Sequence, residues 1–570
     1  MVGKLGAGGA MVGRRMVLTG AAVAGAQAVL PSAASAGASG VHQAGPAAPA
    51  GDAIEAGDGI AVVQTRSGRV AGYVSHDVLT FKGIPYADTT AGENRFLPPR
   101  PLTPWSGVRS ARQYGPVAPQ DKGTGRLNDE EAFIYQWNDS VEGEDCLRVN
   151  VWTPGVGDDR RRAVMVWLHG GGYAAGSGHD LPAFDGENLA RHNDVVVVSL
   201  NHRLNLLGFL DLSEFDARYA HSGNVGMLDI VAALEWVRDN ITAFGGDPDR
   251  VMIFGQSGGG AKVSTLMGMP AARGLFHRAA VMSGSFSMLN TQASARRLAR
   301  LLLAELGLSP AEVGRLHSLP YEMLEAASAK VIARENAPFP GYVDVRALAG
   351  RVDFAPVVDG DVLPAAPFRP YAPAQSRDVP LLVGSTLNEF VSGINQPEIE
   401  AMDEAELLRR AEGFAPGKGA ATVAAFRRRT PDASPFDLWS RIASAPVRLS
   451  AVQQAAAKAA GGGAPAWLYW FTWQTPVLDG RPRAFHCLDI PFVFRNTDRC
   501  ASMTGGGGEA RRISGLMADA FAAFARTGDP NHADLPTWRL FDGTDEACLM
   551  IDADVRLASA PDRDELARVV

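Results

Sequence analysis

Cysteine is scarce in this chain: Cys146, Cys487, Cys500 and Cys548 are the four thiols in 570 residues. Four cysteines allow three complete pairings that sequence cannot rank, and no disulfide is expected to be essential. Long apolar runs are missing too. The weakly apolar stretch Met16 to Leu30 is interrupted by Gly and Gln, which makes it too short and too polar to span a bilayer. Positive charge is not clustered either, because no Lys/Arg-rich block or basic amphipathic stretch occurs and the formal net charge is −8. That balance argues against nucleic acid and anionic membrane surfaces as partners. The chain carries no internal repeat, no nucleotide-binding motif and no ordered set of metal-ligand spacings.

What the N-terminus does have is Lys4, Arg14 and Arg15 ahead of the weakly apolar run, with Ala34-Ser35-Ala36 as a small-residue cleavage site. This resembles a twin-arginine export signal over 1–36, followed by an Ala/Gly/Pro-rich flexible leader over 37–57. Cleavage would remove three basic and no acidic residues and move the formal charge from −8 to −11. The expectation is an exported, extracellular protein with no stable membrane insertion.

The most informative stretch is Gly255-Gln256-Ser257-Gly258-Gly259, preceded by the apolar run Val251-Met252-Ile253-Phe254 and followed by the helix-compatible Ala261 to Met267. A strand, a tight turn and a helix in that order make G-x-S-x-G a nucleophile elbow, in which the serine hydroxyl is lifted above the sheet edge. Taken alone, the pentapeptide is equally compatible with an ordinary Gly/Ser loop. Upstream, the apolar Val164 to Leu168 ends in His169-Gly170-Gly171-Gly172-Tyr173, a segment of the type whose backbone N–H groups complete an oxyanion hole. Ser257 is therefore the candidate nucleophile, with Gly171, Gly172 and Gly258 as candidate oxyanion donors.

The chain also resembles the type-B carboxylesterases of the α/β-hydrolase superfamily, the group of para-nitrobenzyl esterases and cholinesterases. The resemblance runs in order through Phe81-Lys82-Gly83-Ile84-Pro85-Tyr86-Ala87, Arg95-Phe96-Leu97-Pro98-Pro99, Glu144 to Pro154, Asn201 to Asn205, Asn224 to Asp229 and Ala243 to Pro248, then into the elbow. It implies a mostly parallel central sheet flanked by helices, with helical cap insertions over a gorge, and a serine esterase that needs no metal or organic cofactor. A serine hydroxyl needs a base, and the base needs a carboxylate to fix its tautomer. Of the histidines after Ser257, His486 matches the family's base segment in Phe485-His486-Cys487-Leu488-Asp489-Ile490-Pro491-Phe492. Glu389 matches the acid at the end of Leu381 to Phe390, with Asp353, Asp359 and Asp489 as rivals. Cys487 is a rival nucleophile, read more simply as a packing residue because it has no elbow of its own.

Three departures from the family pattern stand out. Gln256 and Gly258 flank the serine where the family has Glu and Ala, so a negative charge near the gorge is missing and the oxyanion turn gains backbone freedom. Ala118 stands where the family often has the disulfide partner of Cys146. The expected fold is one catalytic domain over 58–570, with buried strands at 164–168, 194–200, 250–254, 279–283, 379–384 and 466–472 and an amphipathic helix at 226–240. Helical stretches at 291–335, 401–428 and 447–460 are expected as cap. The expected activity is hydrolysis of small to medium, uncharged or aryl carboxylic esters by a monomer or weak oligomer. Two other readings are another acyl hydrolase on the same machinery (lipase, thioesterase, amidase or polyester hydrolase) and a non-catalytic binding protein of the same fold.

Overall fold

Apolar residues at both odd and even positions of Val164-Met165-Val166-Trp167-Leu168 give a strand with no polar face, and in the computed structural model both of its faces are covered. Val164, Val166 and Leu168 join one apolar cluster, and Met165 and Trp167 join a second. That is the signature of a parallel strand packed between helices. The structure describes residues 53–120, 129–138, 140–285, 288–337, 345–348 and 351–569. The expected export signal lies outside these residues, as does the leader up to residue 52; at the leader's end, Glu55 already bridges to Val74.

The main sheet has eleven strands: β1 Tyr73–Ser75, β2 Val78–Pro85, β3 Arg148–Thr153, β4 Arg162–Leu168, β5 Val196–Leu200, β6 Gly246–Gln256, β7 Arg278–Met282, β8 Leu381–Thr386, β9 Ala466–Phe471, β10 Ala547–Ile551 and β11 Arg556–Ser559. Across the sheet they run β11-β10-β9-β8-β7-β6-β4-β5-β3-β2-β1. The strands from β4 to β10 pair in parallel, while β1, β2, β3 and β11 join antiparallel at the two edges. The helices Val225–Asn240 and Gly258–Gly268 bury their apolar side chains in the first cluster. The helix Gly508–Thr527 buries Ile513, Met517, Phe521 and Phe524 in the second.

Each expected strand coincides with an observed one to within a few residues, and the helix expected at 226–240 is Val225–Asn240. The stretches expected as cap are more divided than their composition suggests. Residues 401–428 form two helices, Glu404–Phe414 and Gly419–Arg429, separated at Pro416-Gly417, where Gly417 has φ +74. Conversely, the helix expected at 447–460 begins at Pro435 and runs through Pro446. Proline removes one helical N–H, but Trp439, Ile442, Ala443 and Val447 are all buried around the break, and that packing carries the helix across it. The region 291–335 is Gln292–Glu305, a 3-10 turn and Tyr321–Glu335, and its apolar face packs into the first cluster.

Several of the family-like segments are tied together by buried charge. Arg203 donates from its main-chain N–H and Nε to Asp229 Oδ2 at 3.0 and 2.8 Å, and from Nη2 to Oδ1 at 2.6 Å. Both side chains are essentially inaccessible. Arg95 likewise meets Glu144, with Nε to Oε2 at 2.6 Å. These pairs join the loop after β5 to the helix Val225–Asn240, and the segment before β3 to the loop after β2. Pairing and hydrogen bonding offset the high cost of burying each ion.

Candidate active site

Ser257 sits between β6 and the helix Gly258–Gly268 with φ 57 and ψ −125. A non-glycine residue in that region costs roughly 1–3 kcal/mol and persists only where its surroundings enforce it. Here its N–H donates to Met282 O on β7 at 2.8 Å, and its carbonyl accepts from Ala261 N–H at 3.0 Å. The neighbouring glycines are required by contact. A Cβ at Gly259 would lie 2.0 Å from Leu168 O, and one at Gly255 would lie 2.5 Å from Gly259 C.

Gly258 has the most consequential contact. A Cβ there would approach Gly172 O, Cα and N at 2.4–2.5 Å. The expected freedom at this position is thus absent in the fold: the missing methyl lets the His169–Tyr173 loop close directly on the start of the helix. Gly171 and Gly172 have φ +81 and +63, and among the described residues their N–H groups donate to no protein acceptor. The three candidate donors therefore come from two backbone segments in van der Waals contact.

The other half of the site is held by side chains. The loop after β8 carries Glu389, and the loop after β9 carries His486. Asn388 and Phe485 form a parallel bridge between these loops, reinforced by Asn388 N–H to Ala484 O at 3.0 Å and His486 N–H to Glu389 O at 3.0 Å. His486 Nδ1–H donates to Glu389 Oε2 at 2.5 Å. The other carboxylate oxygen, Oε1, accepts from Ser283 Oγ at 2.7 Å and from Thr386 N–H at 2.8 Å. Glu389 has a fully buried side chain, and these three donors satisfy it. Burial disfavours a charged His486, but its neighbours outweigh this and raise its pKa above the ordinary 6.5. Cys487 contributes to that rise only as a thiolate, and burial pushes its own ionisation up. The Glu389 carboxylate is therefore the group that supports the imidazolium at neutral pH.

Gln256 stands between the two halves. Its Nε2 lies 3.2 and 3.3 Å from the two nitrogens of His486, so it faces the ring without preferring either, and its Oε1 accepts from Cys487 Sγ at 3.1 Å. No hydrogen bond links Ser257 to His486 in this geometry; such contacts commonly tighten only when substrate binds. Gln256, Ser257, Glu389, His486 and Cys487 all line one cavity of about 650 Å³. Its apolar wall comes from Tyr135, Trp137, Leu181, Phe184, Leu348, Phe390 and Ile394. The lining residues of the cap region thus come from Leu348 and the short 390–396 stretch, while the helices behind them bury Leu407, Phe414, Phe426 and Trp439 in a cluster of their own.

The rival acids are engaged elsewhere. Asp489 accepts from Tyr469 OH at 2.8 Å, and burial raises its pKa to about 7. Asp359 accepts from Asn224 and from Leu363 N–H, and Asp353 from Phe354 N–H. All four cysteines are free thiols, with Cys146 buried in the first apolar cluster along with Ala118. Ser283, the Gln256–Cys487 contact and the buried Lys262 were not among the sequence candidates. Ser283 directly follows β7, the strand that pairs with β6, and its role is visible only once that pairing is known.

The carboxylesterase family model matches residues 60–415 and 435–568. The chain is 34% identical over 510 residues to the para-nitrobenzyl esterase of Bacillus subtilis (strain 168), covering 88% of this chain and 97% of that one. It is 32% identical to the phenmedipham hydrolase of Pseudarthrobacter oxydans, covering 86% and 94%. Among solved structures, it is similar to an esterase from Clostridium hathewayi described as able to hydrolyse aliphatic aromatic polyesters, with a TM-score of 0.78, 36% identity, and coverage of 91% of this chain and 99% of that one. A Geobacillus stearothermophilus carboxylesterase gives 0.73, 35%, 90% and 100%. With a mostly parallel eleven-stranded sheet, a serine elbow at its centre and relatives of this kind along nearly the whole chain, the protein is a carboxylic ester hydrolase with the α/β-hydrolase fold and belongs to the carboxylesterase family.

Proposed function

We propose that the protein is an exported serine carboxylesterase in which Ser257, His486 and Glu389 form the catalytic triad and Gly171, Gly172 and Gly258 supply the oxyanion hole. The observation that carries this reading is the 2.5 Å bond from His486 Nδ1 to a buried, fully satisfied Glu389, in the same cavity as a serine at positive φ. His486 takes the Ser257 proton as the hydroxyl attacks the ester carbonyl, and the glycine N–H groups receive the developing oxyanion. The imidazolium then protonates the leaving alcohol. Water, deprotonated by the same imidazole, attacks the acyl-enzyme and releases the carboxylic acid.

The aromatic and aliphatic wall of the cavity favours small to medium uncharged or aryl esters, and the neutral Gln256 contributes no charge toward a cationic substrate. Export rests on the twin arginines and the small-residue site at 34–36; the free thiols accord with a protein that needs no oxidative folding. The likeness to a polyester-hydrolysing esterase adds aryl polyesters to the substrates worth testing. The test is hydrolysis of para-nitrophenyl esters from acetyl to palmitoyl by residues 37–570, with Ser257→Ala in parallel. Turnover that peaks at short or medium chains and disappears in the variant supports the reading. A folded wild type that hydrolyses none of them refutes it.

A further inference from the structure

Lys262, in the second turn of the helix that begins behind Ser257, is completely buried. Its Nζ donates to His169 O at 2.9 Å, the carbonyl immediately before Gly170, Gly171 and Gly172. The titratable groups that face it are His169 at the end of β4, His202 after β5, Tyr173 in the glycine loop and Asp180 beyond that loop. Tyr173 presents its ring with the centroid 5.8 Å from Nζ. The two imidazoles stack at 5.2 Å, and their Nδ1–H groups donate to Gly170 O and Arg203 O at 2.8 and 2.7 Å. Burial first, and Lys262 second, hold both imidazoles in the neutral form. No ion pair joins Lys262 to a carboxylate among the described residues; Asp180 acts on it only through space. Burying an ammonium in such a place is costly, and packing alone would be served by methionine.

We propose that Lys262 is a positioning residue for the oxyanion hole: it anchors the glycine loop through the His169 carbonyl and sets a positive potential beneath the point where negative charge develops. The inference rests on the reading of Ser257 as the esterase nucleophile. The substrate carbonyl carries little charge at that point before attack and nearly a full negative charge after it, so a fixed cation there favours the transition state over the ground state. Burial lowers the Lys262 pKa to about 7, with Asp180 opposing. Above that pH the amine still donates a hydrogen bond to His169 O, so the anchor remains while the potential is lost. The rate contribution is therefore present on the acid side of about pH 7 and fades on the alkaline side.

The experiment is kcat/KM for para-nitrophenyl butyrate as a function of pH for the wild type, Lys262→Met and Lys262→Arg, with Ser257→Ala as the blank. The ratio of wild type to Lys262→Met removes the His486 titration common to both. It is expected to be roughly tenfold at the acid end and to shrink as pH rises past about 7, chiefly through kcat. A ratio independent of pH overturns the inference of a titrating charge beneath the developing oxyanion, while leaving the esterase reading intact. If Lys262→Met does not fold, Lys262→Arg carries the test: with a permanent charge, its rate relative to the wild type should rise as pH passes about 7, and a ratio that does not change with pH overturns the inference. Turnover that survives in Ser257→Ala overturns the esterase reading, and this inference with it.

Discussion

The proposed nucleophile half and the proposed acid–base half of the site are built in opposite ways. Ser257, Gly258 and the glycine loop are assembled backbone against backbone, with a Cβ at 258 excluded by Gly172 at 2.4–2.5 Å. Glu389 and His486 are assembled by side-chain hydrogen bonds between loops that follow β8 and β9, with Ser283 and Thr386 as further donors. The first half therefore tolerates no added volume, whereas the second tolerates volume changes better than the loss of a charge or a donor. Gln256, at the end of the strand that leads into Ser257, reaches across to the other half through the His486 ring and Cys487.

The largest effect is expected from removing either end of the proton path. Ser257→Ala and His486→Ala should each lower kcat roughly 10⁴–10⁶-fold, measured on a para-nitrophenyl ester with unchanged circular dichroism. Glu389→Gln keeps the shape but loses the charge, and should lose somewhat less; near-wild-type turnover would move the acid role to another carboxylate.

Gly258→Ala sharpens the contrast directly. The added methyl must push the glycine loop away, and loss of oxyanion alignment should cost roughly 10²–10³ in kcat with KM little changed. A fully active Gly258→Ala protein would show that the two backbone segments can separate freely. Next comes stability: Asp229→Ala leaves the Arg203 charge buried without its partner and should cost about 3–5 kcal/mol in a denaturant melt.

The smallest expected effects are on pH. In the proposed mechanism the base works only when unprotonated, and His486 is held above 6.5, so kcat/KM should rise with pH through a midpoint above that value. Gln256→Glu would set a second carboxylate against the imidazole and favour its charged form. The acid limb should then move to higher pH, and an unmoved limb would mean that the residue before the serine does not sense the ring.

The backbone half was also the half legible in the sequence. The elbow and the His169–Tyr173 segment lie in continuous stretches whose glycines and flanking apolar runs carry their own physical meaning, and the strands at 164–168 and 250–254 are apolar on both faces. The acid–base half was not readable that way: Glu389 and His486 were reached through the family resemblance, because one carboxylate and one imidazole among many have no local signature. Ser283, Cys487 against Gln256, and Lys262 beneath His169 depend on which strands become neighbours. The antiparallel strands Val78–Pro85 and Arg148–Thr153 read in sequence as family-like segments and not as strands, since polar residues such as Lys82 and Asn150 interrupt their apolar runs. The helix Pro435–Ala460 runs longer than local propensity predicts for a related reason: burial overrules the break at Pro446.

The most direct test of the central claim is covalent labelling of the intact enzyme with a fluorophosphonate, followed by mass analysis and peptide mapping. One adduct per chain on Ser257, formed in step with loss of ester hydrolysis and absent from Ser257→Ala, is the result expected of an elbow serine activated by the Glu389-supported His486. An adduct on Cys487 or another residue, or loss of activity with Ser257 unmodified, would contradict it.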